Sequence, residues 1–131
     1  MRYLVDTNVW IERLLDQDDA PQVERLLDTL PSSDLCITEF GLNSIGVILD
    51  RLKRIDTWQL FVTRVMKEAQ VKVIGLEIDD LLWMIETQRN LGLDFDDAYQ
   101  YTVADKYNLT IVSFDSHFDR TPRGRKTPAE I

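Results

Sequence analysis

Tyr3-Leu4-Val5-Asp6-Thr7-Asn8-Val9-Trp10 decides the fold: a short apolar run ends in a carboxylate, and the chain passes at once into a stretch with helical character. The same succession recurs further along. Leu35-Cys36-Ile37-Thr38 is followed by Glu39, and Leu109-Thr110-Ile111-Val112-Ser113-Phe114 by Asp115. Asp97 opens a helix instead. In an open α/β sheet the ligand site lies outside the carboxyl ends of the strands, so acids at such ends and at a helix start can converge although the chain separates them widely. Asp6, Glu39, Asp97 and Asp115 are therefore candidates for one site, and convergent oxygen ligands hold Mg²⁺ or Mn²⁺. Helix capping accounts equally well for any one of these acids. It accounts less well for all of them together, because Thr7 and Asn8 cap as readily as Asp6. The carboxylates of Leu93-Asp94-Phe95-Asp96-Asp97-Ala98 would also repel one another without a cation. On spacing alone both explanations stand.

Outward from these stretches, short apolar runs alternate with helical patterns. A strand over Arg2 to Val5 leads into a helix carrying Val9, Trp10, Leu14 and Leu15. A second helix starts near Pro21, capped by Asp18 or Asp19, with Val23, Leu26, Leu27 and Leu30 as its stripe. The strand Leu35 to Thr38 feeds a helix beginning near Glu39 with Leu42, Ile45, Ile48, Leu49 and Leu52, and Thr57 caps the next, through Leu60, Phe61, Val65 and Met66. Val71 to Ile74 is a third strand. Asp79 or Asp80 begins a helix that stops at Gly92, Asp94 to Tyr107 is helical, and Thr110 to Ser113 is a strand. β-Branched and apolar strands separated by helices indicate a parallel sheet covered on both faces. Arg120 to Lys126, with four basic residues beside Pro122 and Gly124, reads as a mobile tail.

The chain has 131 residues, the size of one domain spanning 1–131, and its 44% hydrophobic and 29% charged residues fit a folded protein. Fifteen Lys and Arg against twenty-three Asp and Glu leave a net charge of −8, which excludes nucleic-acid binding by a general basic surface and requires any such contact to be local. A single cysteine, Cys36, excludes an intramolecular disulfide and reads as a packed thiol. With one histidine, His117, zinc sites of His and Cys and histidine-dependent triads lack parts. The N-terminus carries no apolar signal region and no stretch is apolar enough to cross a bilayer, so the expected location is the cytoplasm, with no membrane partner.

Leu4-Val5-Asp6-Thr7-Asn8-Val9, Ile37-Thr38-Glu39-Phe40, Asp97-Ala98 with Ala104-Asp105 down one helix, and Ile111-Val112-Ser113-Phe114-Asp115 with Phe118 occur in an order and spacing that resemble the PIN domain nucleases. Within them, the chain resembles the small free-standing VapC-type toxins of prokaryotic toxin–antitoxin pairs. The resemblance implies a three-layer α/β/α sandwich around a parallel sheet of about five strands. Asp6, Glu39, Asp97 and Asp115 fall on the family's acidic positions, Asn8 and Ser113 on its supporting polar positions, and Asp96 and Asp119 are additional acids. It further implies a metal-dependent endoribonuclease using Mg²⁺ or Mn²⁺, an RNA substrate, a cognate antitoxin and a homodimer.

That chemistry makes sense of the residue types. A phosphodiester is anionic and resists water, so its hydrolysis requires charge neutralisation, an activated water and a stabilised leaving oxygen, all of which one or two divalent ions provide. Asp6 and Asp115 would be the central ligands, Asp97 would bind the same or a second ion, and Glu39 would act through water or as a base, with Asn8 and Ser113 orienting the carboxylates. Two alternatives carry different consequences: a PIN nuclease of RNA processing or decay without an antitoxin, and a non-catalytic interaction domain, which the acidic surface favours. Arg51, Lys53 and Arg54 read as a solvated helix end or an RNA phosphate contact. Trp58, Trp83, Tyr99 and Tyr101 read as core before stacking platforms or a dimer face. Trp10, Leu14, Leu15 and the apolar residues of the Glu39 helix read as core, or as a groove for an amphipathic antitoxin helix, and His117 as a surface residue before a substrate contact.

Overall fold

In a computed structural model describing residues Met1–Ile131, the four apolar runs form one parallel sheet. The strands are β1 (Tyr3–Val5), β2 (Leu35–Thr38), β3 (Lys72–Ile74) and β4 (Thr110–Val112), in the order β3-β2-β1-β4. Tyr3 lies opposite both Leu35 and Thr110, and Thr38 opposite Ile74. Parallel neighbours cannot be joined by a tight turn, so every connection carries helices. These are α1 (Thr7–Leu14), α2 (Ala20–Thr29), α3 (Glu39–Arg51), α4 (Ile55–Phe61), α5 (Ile78–Leu91) and α6 (Phe95–Tyr107).

Successive strand residues point to opposite faces, and the core divides accordingly. Leu4, Cys36 and Ile111 pack with Met84 of α5 and Ala98, Tyr101 and Ala104 of α6. Val5, Ile37 and Val112 pack on the other face with Val9 and Trp10 of α1, Val23 and Leu26 of α2, and Ile45, Leu49 and Phe61. The result is the expected α/β/α sandwich. Cys36 is buried, as expected of a packed thiol, and burial pushes its pKa up to about 12.

The sheet has four strands where about five were expected. The fifth position is reduced to one residue, Lys126, whose N–H donates to the Ile111 carbonyl (2.8 Å) and whose carbonyl accepts from Ser113 N–H (3.0 Å). Pro122 and Gly124 interrupt any longer strand there. The same segment corrects the expectation of a mobile tail. Arg123 Nε donates to Asp105 Oδ1 at 2.7 Å and its Nη1 to the Leu109 carbonyl at 2.9 Å, while Arg125 grips Asp119 through two bonds and donates to the Ser113 carbonyl at 3.0 Å. The basic residues that suggested a solvated tail are what tie it down.

Helix starts differ locally from expectation. Thr57 lies inside α4, which begins two residues earlier because Lys53, at φ 57°, turns the chain straight out of α3. Asp19 caps α2 by position, but its carboxylate accepts from Gln22 rather than from the helix backbone. At α5, Glu77 is the cap and Asp80 reciprocates as its box partner. Trp10 is 2% exposed and packs edge-on against Phe61 at 5.5 Å, so it belongs to the core.

Candidate metal centre

The strand order places a reversal at β1: from β1 the chain steps outward through β2 to β3, then returns across the sheet to lay β4 on β1's other side. At such a switch point the connections leave in opposite directions and open a crevice at the carboxyl ends of the two strands that flank it, here β1 and β4. Asp6 immediately follows β1, and Ser113 and Asp115 follow β4. The acids meet there because the topology leaves that edge uncovered.

Asp6 caps α1 in extended conformation, its Oδ1 accepting from Thr7 N–H at 2.7 Å. The same oxygen accepts from Gln100 Nε2 at 2.9 Å, and Oδ2 accepts from Ser113 Oγ at 2.7 Å. Only 8% exposed, the carboxyl has its pKa raised, chiefly by burial, against the opposing effect of the Ser113, Thr7 and Gln100 hydrogen bonds. Ser113 Oγ in turn accepts from Asp115 N–H at 2.9 Å, and Asn8 joins both sides, donating to Ser113 Oγ at 3.3 Å and accepting from Phe114 N–H at 3.2 Å. Asn8 and Ser113 thus knit the two strand ends together.

Asp97, in the first turn of α6, and Asp115 stand across the opening. Burial and then the negative charge of Asp115 push the Asp97 pKa up from 3.8 to about 6. The cleft, about 330 Å³, is lined by Asp6, Asn8, Asp96, Asp97, Gln100 and Asp115 among others. Glu39 and Asp119 are not among its lining residues. Glu39 starts α3 beside the cleft residue Phe40, but it is exposed and its Oε2 lies 3.4 Å from where a Cβ on Gly75 would sit, toward the end of β3. Asp119 is held by Arg125, which keeps its pKa below the usual carboxylate range.

One site residue, Gln100, went unread in the sequence, and His117 was read chiefly as surface. Gln100 follows Asp97 by three positions and so shares its helix face, a signal visible in the spacing. His117, assigned to the surface, is exposed yet reaches back, its Nδ1 3.1 Å from Asp115 Oδ1 and 3.4 Å from Asp97 Oδ2. A divalent cation suits this donor set. Carboxylates crowd one opening without enough counter-charge, and Gln100 Oε1 is buried with no hydrogen-bond partner.

Residues 3–124 match the sequence profile of the PIN domain, so the chain belongs to the PIN domain family that its motifs resemble. Solved structures with a similar fold include a chain of a toxin–antitoxin complex from Klebsiella pneumoniae, 18% identical, with 98% of this chain and 99% of that one covered at a TM-score of 0.76. Another is VapC20 of Mycobacterium tuberculosis, described as a sarcin–ricin loop cleaving toxin, 17% identical over 92% and 95% of the two chains at 0.78. VapBC2 of Rickettsia felis, bound to a DNA fragment from its promoter, is 16% identical over 96% and 97% at 0.77. At these identities the likeness is one of fold. No curated protein sequence matches the chain.

Burial and, after it, charge crowding predict an inverse relation between stability and function at Asp97. Its folded pKa lies above the unfolded value, so the native state binds the proton more tightly and stability falls as pH rises from 3.8 to about 6, staying low above that. In chelator, Asp97→Asn should therefore melt higher than wild type by about 3–6 °C at pH 7.5, a gap that opens across pH 4–6. Millimolar Mg²⁺ or Mn²⁺ should raise the wild-type melting temperature more than that of the variant. Differential scanning fluorimetry reads both, and a gap independent of pH contradicts the raised Asp97 pKa.

Proposed function

We propose that residues 1–131 form a metal-dependent endoribonuclease of PIN type, the toxin of a toxin–antitoxin pair acting in the cytoplasm. The observation that carries the proposal is the meeting of Asp6, Asp97 and Asp115 at the sheet's switch point. When bound, Mg²⁺ or Mn²⁺ supplies Lewis-acid stabilisation of phosphate charge and a lowered pKa for water. The residues do the rest. Asp97 and Asp115 hold the ion at the opening, and Asp6 completes the floor, oriented by Ser113 and Gln100. Glu39 serves by swinging its exposed side chain from Gly75 toward the cleft, which its place beside Phe40 allows.

A chain of net charge −8 needs a local cation to receive RNA. The groove continues from the cleft along one face of α3, past Phe40, Ser44 and Ile48, and ends at Arg51. Arg51 is placed to receive a phosphate flanking the scissile one, with Ser44 and Asn43 offering hydrogen bonds between. A second groove, apolar along Leu14, Leu27, Leu60, Phe61 and Val65 with Arg13 and Arg64 at its rim, supports an amphipathic antitoxin segment. The stripe Ile78, Leu82 and Ile85 on α5, at helical spacing and 80%, 71% and 40% exposed, supports a homodimer. No helix is long and apolar enough to cross a membrane.

Purified protein should cleave single-stranded RNA with Mg²⁺ or Mn²⁺ and stop in chelator, and Asp97→Asn should lose at least about 100-fold in rate while remaining folded. An RNA-binding but inert wild type would favour the non-catalytic alternative. Light scattering at micromolar concentration should give a dimer for the wild type and a monomer for Leu82→Glu. A strictly monomeric wild type removes the dimer and leaves the nuclease site untouched.

A further inference from the structure

His117 is the chain's one histidine, and it stands against the cleft carboxylates. The ligand atoms of Asp97, Asp115 and His117 all lie within 4.8 Å of one another. We propose that His117 Nδ1 is a ligand of the divalent ion in this cleft and that its imidazole makes the site select Mn²⁺ over Mg²⁺, an inference resting on the metal-dependent nuclease reading above.

The spacing fits. Adjacent ligands of an octahedral ion at about 2.1 Å are about 3.0 Å apart, and Nδ1 lies 3.1 Å from Asp115 Oδ1 and 3.4 Å from Asp97 Oδ2. One ion touching all three atoms needs only small movements. His117 is also set in place by its backbone: its N–H donates to Asp115 Oδ1 at 2.8 Å, capping the turn Ser116–Arg120, and the next residue, Phe118, is fully buried in the core. The side chain remains 56% exposed, so the Nε2 edge can carry the ring proton toward solvent while Nδ1 offers its lone pair inward.

A second observation points to a ligand independently of the acids. Gln100, 3% exposed and part of the cleft lining, spends its amide N–H on Asp6 and leaves Oε1 without a partner. A buried acceptor in that position suits a water of the ion's coordination shell, which Mg²⁺ and Mn²⁺ sites retain. Carboxylates and water serve Mg²⁺ and Mn²⁺ alike, whereas imidazole is a better donor to a transition metal than to Mg²⁺. The nitrogen is therefore what separates the two ions here.

Pulsed electron paramagnetic resonance on the full-length protein loaded with Mn²⁺ tests this without measuring activity. The wild type should show coupling of the Mn²⁺ electron spin to a ¹⁴N nucleus, and His117→Gln should lose it. By calorimetric titration, His117→Gln should weaken Mn²⁺ binding about tenfold or more and Mg²⁺ binding by less than about threefold. Mn²⁺ bound to the wild type without nitrogen coupling overturns the role of His117 and leaves the nuclease reading standing, as does equal weakening of both ions. Mn²⁺ that fails to bind the wild type at all overturns both.

Discussion

The hydrogen bond from Ser113 Oγ to Asp6 Oδ2, 2.7 Å long, joins the ends of the neighbouring strands β1 and β4, and the site depends on it. Asp6 is a nearly buried carboxylate, a state that is costly unless its oxygens are bonded. Ser113, Gln100 and Thr7 supply those bonds from β4, α6 and α1, so satisfying one group fixes three elements relative to one another. Because Ser113 Oγ also receives the Asp115 N–H, the bond that settles Asp6 positions the next acid as well. Arg125 braces the arrangement from outside by donating to the Ser113 carbonyl.

Why the acids meet there at all is a matter of topology. In a sheet ordered β3-β2-β1-β4, β1 is the only strand flanked by its successor on one side and by the last strand on the other. The crevice falls between the tips of β1 and β4, where residues 6 and 113–115 sit, while the tip of β2 lies one strand away. That displacement accounts for Glu39 standing apart with its carboxylate toward Gly75. The preceding helix, α6, brings its N-terminal turn over the same crevice, adding Asp97 and, one turn on, Gln100.

Much of this was legible in the sequence because short-range rules carry it. Apolar runs such as Leu109 to Val112 specify buried parallel strands, and the alternation of strands and helices specifies the layered fold. The acids Asp6, Asp97 and Asp115, placed at strand ends and a helix start, are brought to one opening. What escaped depends on partners remote in the chain or on free rotamers. Arg123 and Arg125 read as solvated charges until Asp105, Leu109 and Ser113 are seen beside them. His117 is exposed by any local criterion, and only the fold reveals that its ring leans on Asp97, twenty residues earlier. The depth of Trp10 follows from Phe61 arriving over it, and Glu39's direction from no local preference, since an exposed side chain on a first helical turn is free to choose.

The central claim is that a divalent ion is held between α6 and the β4 tip, and anomalous diffraction from crystals grown with Mn²⁺ tests it most directly. The account predicts one strong Mn²⁺ peak within about 2.0–2.5 Å of carboxylate oxygens of both Asp97 and Asp115. A cleft without such a peak in crystals whose cleft faces solvent, or Mn²⁺ bound only at other surface acids, would contradict it.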